Sequence, residues 1–167
     1  MIKNQGGFSY IWTLLLIAGL SFSTALSVEI AATAVQRDKE KELLAIGRQF
    51  RTAFARYQES SPIKGNPEYP ESLEQLLHDD RLPGTRRHLR KIFVDPMTGK
   101  AQWGTIRIGG RIMGIHSLSE QTPIKQDGFE ADSAQFRDKQ RYTEWVFTYP
   151  PETLLLIESE VLPKATP

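Results

Sequence analysis

The sequence predicts an α+β protein, in which one long N-terminal α-helix packs on a small antiparallel β-sheet domain. Three observations carry this reading. Residues 8–28 contain no Asp, Glu, Lys or Arg. From Ala31 to Ser60 there is no proline and a single glycine, Gly47, while apolar residues recur at helical spacing. Beyond residue 100 come runs rich in alternating, β-branched and aromatic residues, set off by turn-forming glycines. The chain therefore divides into a short polar segment (1–7), a transmembrane helix (8–28), an amphipathic helix extension (29–60) and an outer α+β domain (61–167).

The bulk numbers bound this picture. Of 167 residues, roughly 105 remain once the helix is set aside, enough for one small core. The formal net charge is +1, which is not the footprint of a nucleic-acid binder. There is no cysteine, hence no disulfide framework, thiol nucleophile or thiolate metal site.

At about 1.5 Å per residue, the uncharged run makes roughly 32 Å of helix, close to the ~30 Å hydrocarbon thickness of a bilayer. Its centre, Leu14 to Ala18, is strongly apolar. Ser21, Ser23, Thr24 and Ser27 are small and can bond back to helix carbonyls. Lys3 precedes the run, whereas Arg37, Lys39 and Lys41 beyond it alternate with Asp38, Glu40 and Glu42. The positive-inside rule puts the N-terminus in the cytoplasm. The run alone is open to three readings: a secretory signal cut at Ala32-Thr33-Ala34, a plain membrane anchor, or the anchor of a subunit trimmed at its cytoplasmic edge. Its length, and the helical pattern passing straight through 32–34, count against the signal.

Past the membrane, Leu43, Ile46, Phe50, Phe54 and Tyr57 lie on one helix face. They predict a core stripe, with Arg48, Gln49, Arg51, Arg56 and Gln58 mostly off it. Ser60-Ser61-Pro62 ends the helix, because proline disfavours helix in the residue before it. Pro62 to Pro70 reads as a loop, and Pro70 to Asp80 as a short helix with proline at its start and acids in its first turn. Arg86, Arg87, Arg90 and Lys91 form a small basic cluster, either a solvated face or a contact for acidic groups of a neighbour. Asp95 to Lys100 is a turn by composition. Gln102–Ile108 and Arg111–His116 pair as a hairpin around Gly109-Gly110. Tyr142–Tyr149 is the strongest strand candidate. Ser117 to Arg141 is a long polar loop, Thr153–Glu158 a last strand or short helix, and Pro163–Pro167 a tail.

These pieces together resemble a known family. A polar leader ending in Gly6-Gly7, then Phe8, an apolar helix and an amphipathic extension resemble type IV pilin-like proteins. Tyr69-Pro70-Glu71-Ser72-Leu73-Glu74-Gln75-Leu76-Leu77 and Asp95-Pro96-Met97-Thr98-Gly99-Lys100, leading to Trp103-Gly104, are similar to the major pseudopilins of type II secretion systems. The resemblance implies a pilin-like fold in which the Asp-Pro turn enters a three-stranded sheet. It also implies a leader, residues 1–7, cut between Gly7 and Phe8 by a membrane-embedded prepilin peptidase, with N-methylation of Phe8. The implied partners are other pseudopilin subunits, an assembly platform membrane protein and its ATPase. The implied place is the bacterial inner membrane, single pass, with the outer domain in the periplasm. The sequence departs from the pattern at Trp12, where the family carries a glutamate. In the family that glutamate pairs with a neighbour's terminal amine, a partner that a charge in a membrane requires.

The family also implies calcium as a candidate ligand in a late loop. The oxygen donors there are Asp127, Glu130 and Asp132, whose spacing is not that of an EF-hand. No other cofactor is expected. His78, His88 and His116 have no metal-ligand spacing, and there is no nucleophile elbow, phosphate-binding loop or zinc-protease motif. The reading is therefore a structural subunit rather than an enzyme. The alternative is a membrane-anchored periplasmic binding or enzymatic protein whose leader matches by chance.

Overall fold

The computed structural model describes residues 6–62, 68–81, 83, 84 and 86–153, without the side chains of 6–8 and 21–30. The chain forms two compact units, Met1–Asp38 and Lys39–Pro167. One helix, α1 (Gly6–Glu59), runs 54 residues and contributes to both. The remaining elements are a 3-10 turn at Leu73–Leu76, strands β1 (Gly104–Ile108) and β2 (Arg111–His116), 3-10 turns at Ala131–Phe136 and Tyr142–Glu144, and strand β3 (Phe147–Thr148). The strands make one antiparallel sheet in the order β1-β2-β3. The α+β class is therefore observed.

In the first unit, the described side chains of α1 from Tyr10 to Leu20 are exposed all round, Ile11, Leu15, Leu16 and Ile17 among them. An apolar surface on every side of a helix is unusual in water. Among the described residues, no helix is long and apolar enough to cross a membrane. Phe8 and residues 21–28 of the expected membrane segment lie outside the described side chains.

In the second unit the helical stripe is the core. Leu43, Ile46, Phe50, Phe54 and Tyr57 are all buried, with Ala53 between them. Phe50 packs edge-on to Phe93 and tilted against Trp103, at ring separations of 6.3 and 5.5 Å. The far side is a stack of aromatics. Phe136 lies flat on Trp145 at 5.4 Å, with Phe129, Tyr142 and Phe147 meeting these rings edge-on. Such edge and offset geometries suit ring quadrupoles. The helix closes where the Ser-Ser-Pro signal placed it. Ser60 donates both its amide and its hydroxyl to the Arg56 carbonyl, and Ser61 donates to Gln58.

Arg51 was expected off the stripe and is instead buried. Its guanidinium lies over the Phe136 and Phe147 rings at 5.6 and 5.3 Å and pairs with Asp132 at 3.2 Å. Those partners sit about 80–100 residues along the chain, so periodicity within α1 had no access to them. Burial lowers the Arg51 pKa, against the raising effect of Asp132.

Gly47 makes room for Phe147. A Cβ at Gly47 would fall inside that ring, and Phe147 has no exposed surface to move into. Helix propensity alone says Gly47→Ala stabilises by about 1 kcal/mol. Overpacking a filled core costs about 1–3 kcal/mol. Packing should win, so Gly47→Ala is expected to lower stability by about 1 kcal/mol, the middle of the difference between the two terms. Urea unfolding followed by tryptophan fluorescence reads this directly; an increase in midpoint would show that Phe147 has free space.

Three expected elements are corrected. The helix over Pro70–Asp80 is only one 3-10 turn, Leu73–Leu76. The backbone beyond it is claimed by other partners. The Leu76 carbonyl accepts from His88 and Leu89, and the Asp79 amide donates to the Arg86 carbonyl. The strand over Tyr142–Tyr149 shrinks to Phe147–Thr148. Tyr142 and Thr143 donate their amides to Gln121 and Ser119 in the preceding loop instead. The first hairpin strand starts at Gly104 rather than Gln102. The turn Gly109-Gly110, with φ of 57° and 82°, has the left-handed backbone that the glycine pair supplies. Residues 63–67 of the expected loop, residues 154–158 of the last expected element and the tail lie outside the described residues.

Candidate functional site

Gly7 and Phe8 lie in the first turn of α1, which begins at Gly6. The backbone at the Gly7–Phe8 junction is therefore helical. A protease binds extended backbone, so this turn has to open before any cut. Glycine costs about 1 kcal/mol relative to alanine in a helix, and end turns fray first, so a glycine pair here keeps that opening cheap. Trp12 lies one turn further on, 60% exposed.

The loop carboxylates do not converge. Asp127 pairs with Arg137 at 2.7 Å, Glu130 with Arg48 at 3.5 Å and Asp132 with Arg51 at 3.2 Å. The Gly128 amide, and then Arg137, hold the Asp127 carboxyl below its ordinary pKa. Among the described residues no three acidic or histidine side chains come together as a metal centre requires. Each acid engages a separate arginine, and this arrangement does not fit a calcium ion.

The Asp-Pro turn is built on Asp95, which has no exposed surface. Its carboxylate accepts from the Met97 amide, the Thr98 hydroxyl and the Ser117 hydroxyl, at 2.9, 3.0 and 2.7 Å. Gly99, with φ of 71°, closes the turn. Asp95 thereby ties the entry of β1 to the exit of β2.

A second polar knot lies outside the sequence expectations. Asp79 is fully buried and accepts from Arg81 Nε at 2.9 Å and Nη2 at 2.8 Å, and from the Arg81 amide at 3.1 Å. His88 Nε2 lies 2.9 Å from Oδ2, the oxygen that also accepts from Arg81 Nη2. Arg81 also covers the Tyr57 ring at 3.5 Å and donates to the Tyr57 carbonyl. Hydrogen bonding from Arg81, supported by His88, holds the Asp79 carboxyl well below the usual carboxylate range. Burial raises the Tyr57 phenol. The other histidines also have partners: exposed His78 pairs with Asp80 and half-buried His116 Nδ1 meets the Ser117 carbonyl, both at 2.8 Å.

Beside this knot lies an open cleft of about 360 Å³, walled by Arg48, Thr52 and Arg56 of α1 and by His88, Leu89 and Arg90. The basic cluster expected from sequence reaches it only through Arg90. Arg86, Arg87 and Lys91 are exposed outside it.

Among the described residues, the fold and these sites define an α+β chain with one long helix and a three-stranded antiparallel sheet. Compared with known proteins, the chain matches no family model, no curated protein and no solved structure.

Proposed function

We propose that this chain is a pseudopilin-like structural subunit, assembled from the bacterial inner membrane into a type II secretion or type IV pilus-like filament that supports protein export. The observation that carries the reading is α1. One 54-residue helix begins at the glycine pair, presents apolar side chains on all sides from Tyr10 to Leu20, and provides the buried stripe of the second unit. A helix apolar all round suits lipid or other helices, and a helix apolar on one stripe suits a domain core. Joining the two in one element suits a subunit whose helices bundle inside a filament while the domains tile outside. Head-to-tail contacts of that kind extend without closing. The Asp95 turn leading into the sheet adds to the support. In this reading Trp12 replaces the family's glutamate and packs apolarly against a neighbouring helix.

Maturation tests the proposal. The protein isolated from its native membrane is expected to begin at N-methylated Phe8. Gly7→Leu is expected to stay full length, because a Cβ and branched chain obstruct the site at the membrane face. Intact mass and N-terminal peptide mass read both. A wild-type chain still starting at Met1 leaves only a plain anchor and sinks the filament reading. A start near Val35 means a cleaved signal peptide, and sinks it equally.

A further inference from the structure

We infer that the cleft between α1 and the His88–Arg90 segment is a docking site for an extended acidic peptide segment of a partner protein. Three arginines wall it and no carboxylate does. Among the described residues, no ion pair engages Arg56 or Arg90, and Arg48 has only a long contact with exposed Glu130 at 3.5 Å. His88 completes the wall. Its Nε2 is fixed by Asp79 and its side chain is 6% exposed, so it sits as a rigid neighbour rather than a mobile one.

Spacing selects the class of ligand. Arg48 and Arg56 are eight residues apart on one helix, about 12 Å along its axis. A single phosphate spans much less than that. An extended peptide rises about 3.3 Å per residue, so acids four residues apart cover the same distance. Guanidinium forks suit carboxylates in bidentate geometry. Leu89 lines the same cleft and suits an apolar residue at the middle of the three that separate the two acids. The site uses only residues of the second unit and stands whether or not Phe8 is the mature N-terminus.

The test is binding of a fluorescein-labelled peptide, Ser-Glu-Gly-Leu-Gly-Glu-Ser, to the full chain in non-ionic detergent, read by anisotropy. Saturable binding is expected. The Arg56→Glu/Arg90→Glu pair should weaken it about tenfold or more, as loss of two charge-assisted contacts requires. Arg87→Glu/Lys91→Glu carries the same charge change outside the cleft and should weaken it less than twofold. Both pairs change exposed side chains, and the near-ultraviolet spectrum checks that the fold is intact. Equal weakening by both pairs, or no saturation, overturns the site. Displacement by inorganic phosphate at concentrations below that of the peptide would make it a small-oxyanion site, and overturns the peptide assignment.

Discussion

Asp79→Ala is expected to destabilise the sheet-bearing unit by about 3–5 kcal/mol, the cost of leaving a buried ionic partner uncompensated. Asp79 accepts from Arg81 and His88, whose side chains are only 16% and 6% exposed. Removing the carboxylate leaves His88 without its acceptor, frees the Arg81 amide, and leaves the Arg81 guanidinium with only the Tyr57 carbonyl and the longer Glu68 contact. The pair itself need not be a net gain, because desolvation offsets much of its attraction. Asp79→Leu/Arg81→Met should therefore recover a substantial part of the loss, although Glu68 then loses its arginine. The effect has a pH signature. Asp79 is held below its ordinary range in the folded state, while an unfolded aspartate titrates near 3.9. Below about pH 4 the unfolded chain binds the extra proton, so this stabilisation is complete above that pH and declines as the pH falls further. Asp79→Asn should flatten that part of the wild-type curve. Urea unfolding of the full chain in detergent, between pH 7 and 2.5, measures all of this. A loss below 1 kcal/mol for Asp79→Ala at pH 7 would sink the account.

What was legible in the sequence follows the range of the interaction concerned. The stripe Leu43 to Tyr57 was legible because helical period is written locally, and so were the Gly109-Gly110 hairpin and the Asp95 turn. Strand Tyr142–Tyr149 was overread, because aromatic and β-branched residues mark burial as much as strand backbone. Here they fill the stack around Trp145, and only Phe147 and Thr148 pair with β2. Arg51 and Glu40 look like solvated helix charges, and are buried only because loop 117–141 returns over them. The Asp79–His88 contact spans nine residues across the Pro83-Gly84 turn. An acid and a histidine flanking a tight turn were a usable signal for it. The cleft combines a helix face with a segment more than 30 residues away, and nothing in the local pattern joins them.

Glu40→Ala is the second large effect, expected at about 3–4 kcal/mol, since a buried donor left unsatisfied costs about 1–3 kcal/mol and here one buried donor, the Tyr142 hydroxyl, and two half-buried amides lose their acceptor. Glu40 is 3% exposed. Its Oε1 accepts from the Ile124 amide at 2.6 Å, the Lys125 amide at 3.2 Å and the Tyr142 hydroxyl at 2.8 Å. One oxygen thus joins α1 to the polar loop and to the edge of the aromatic stack. Glu40→Gln keeps an oxygen in place and loses only the charge assistance, so roughly 1–2 kcal/mol is expected. Tyr142→Phe removes one donor together with part of its need for a partner, so Glu40→Ala/Tyr142→Phe should cost less than the sum of the two single changes. Local dynamics should respond before global stability does. With Glu40 gone, the Ile124 and Lys125 amides lose their acceptor, and the loop can open without the core unfolding. Hydrogen exchange at these two amides should accelerate at least tenfold in Glu40→Ala while the Ile112 amide, bonded to the Pro70 carbonyl, stays protected to within the change in global stability. Unchanged exchange at 124 and 125 would mean that the loop is held by its other contacts, the Asp132–Arg51 pair first among them. The order of effects, alanine far above glutamine, is what distinguishes a carboxylate acting as a structural acceptor from one kept for its charge.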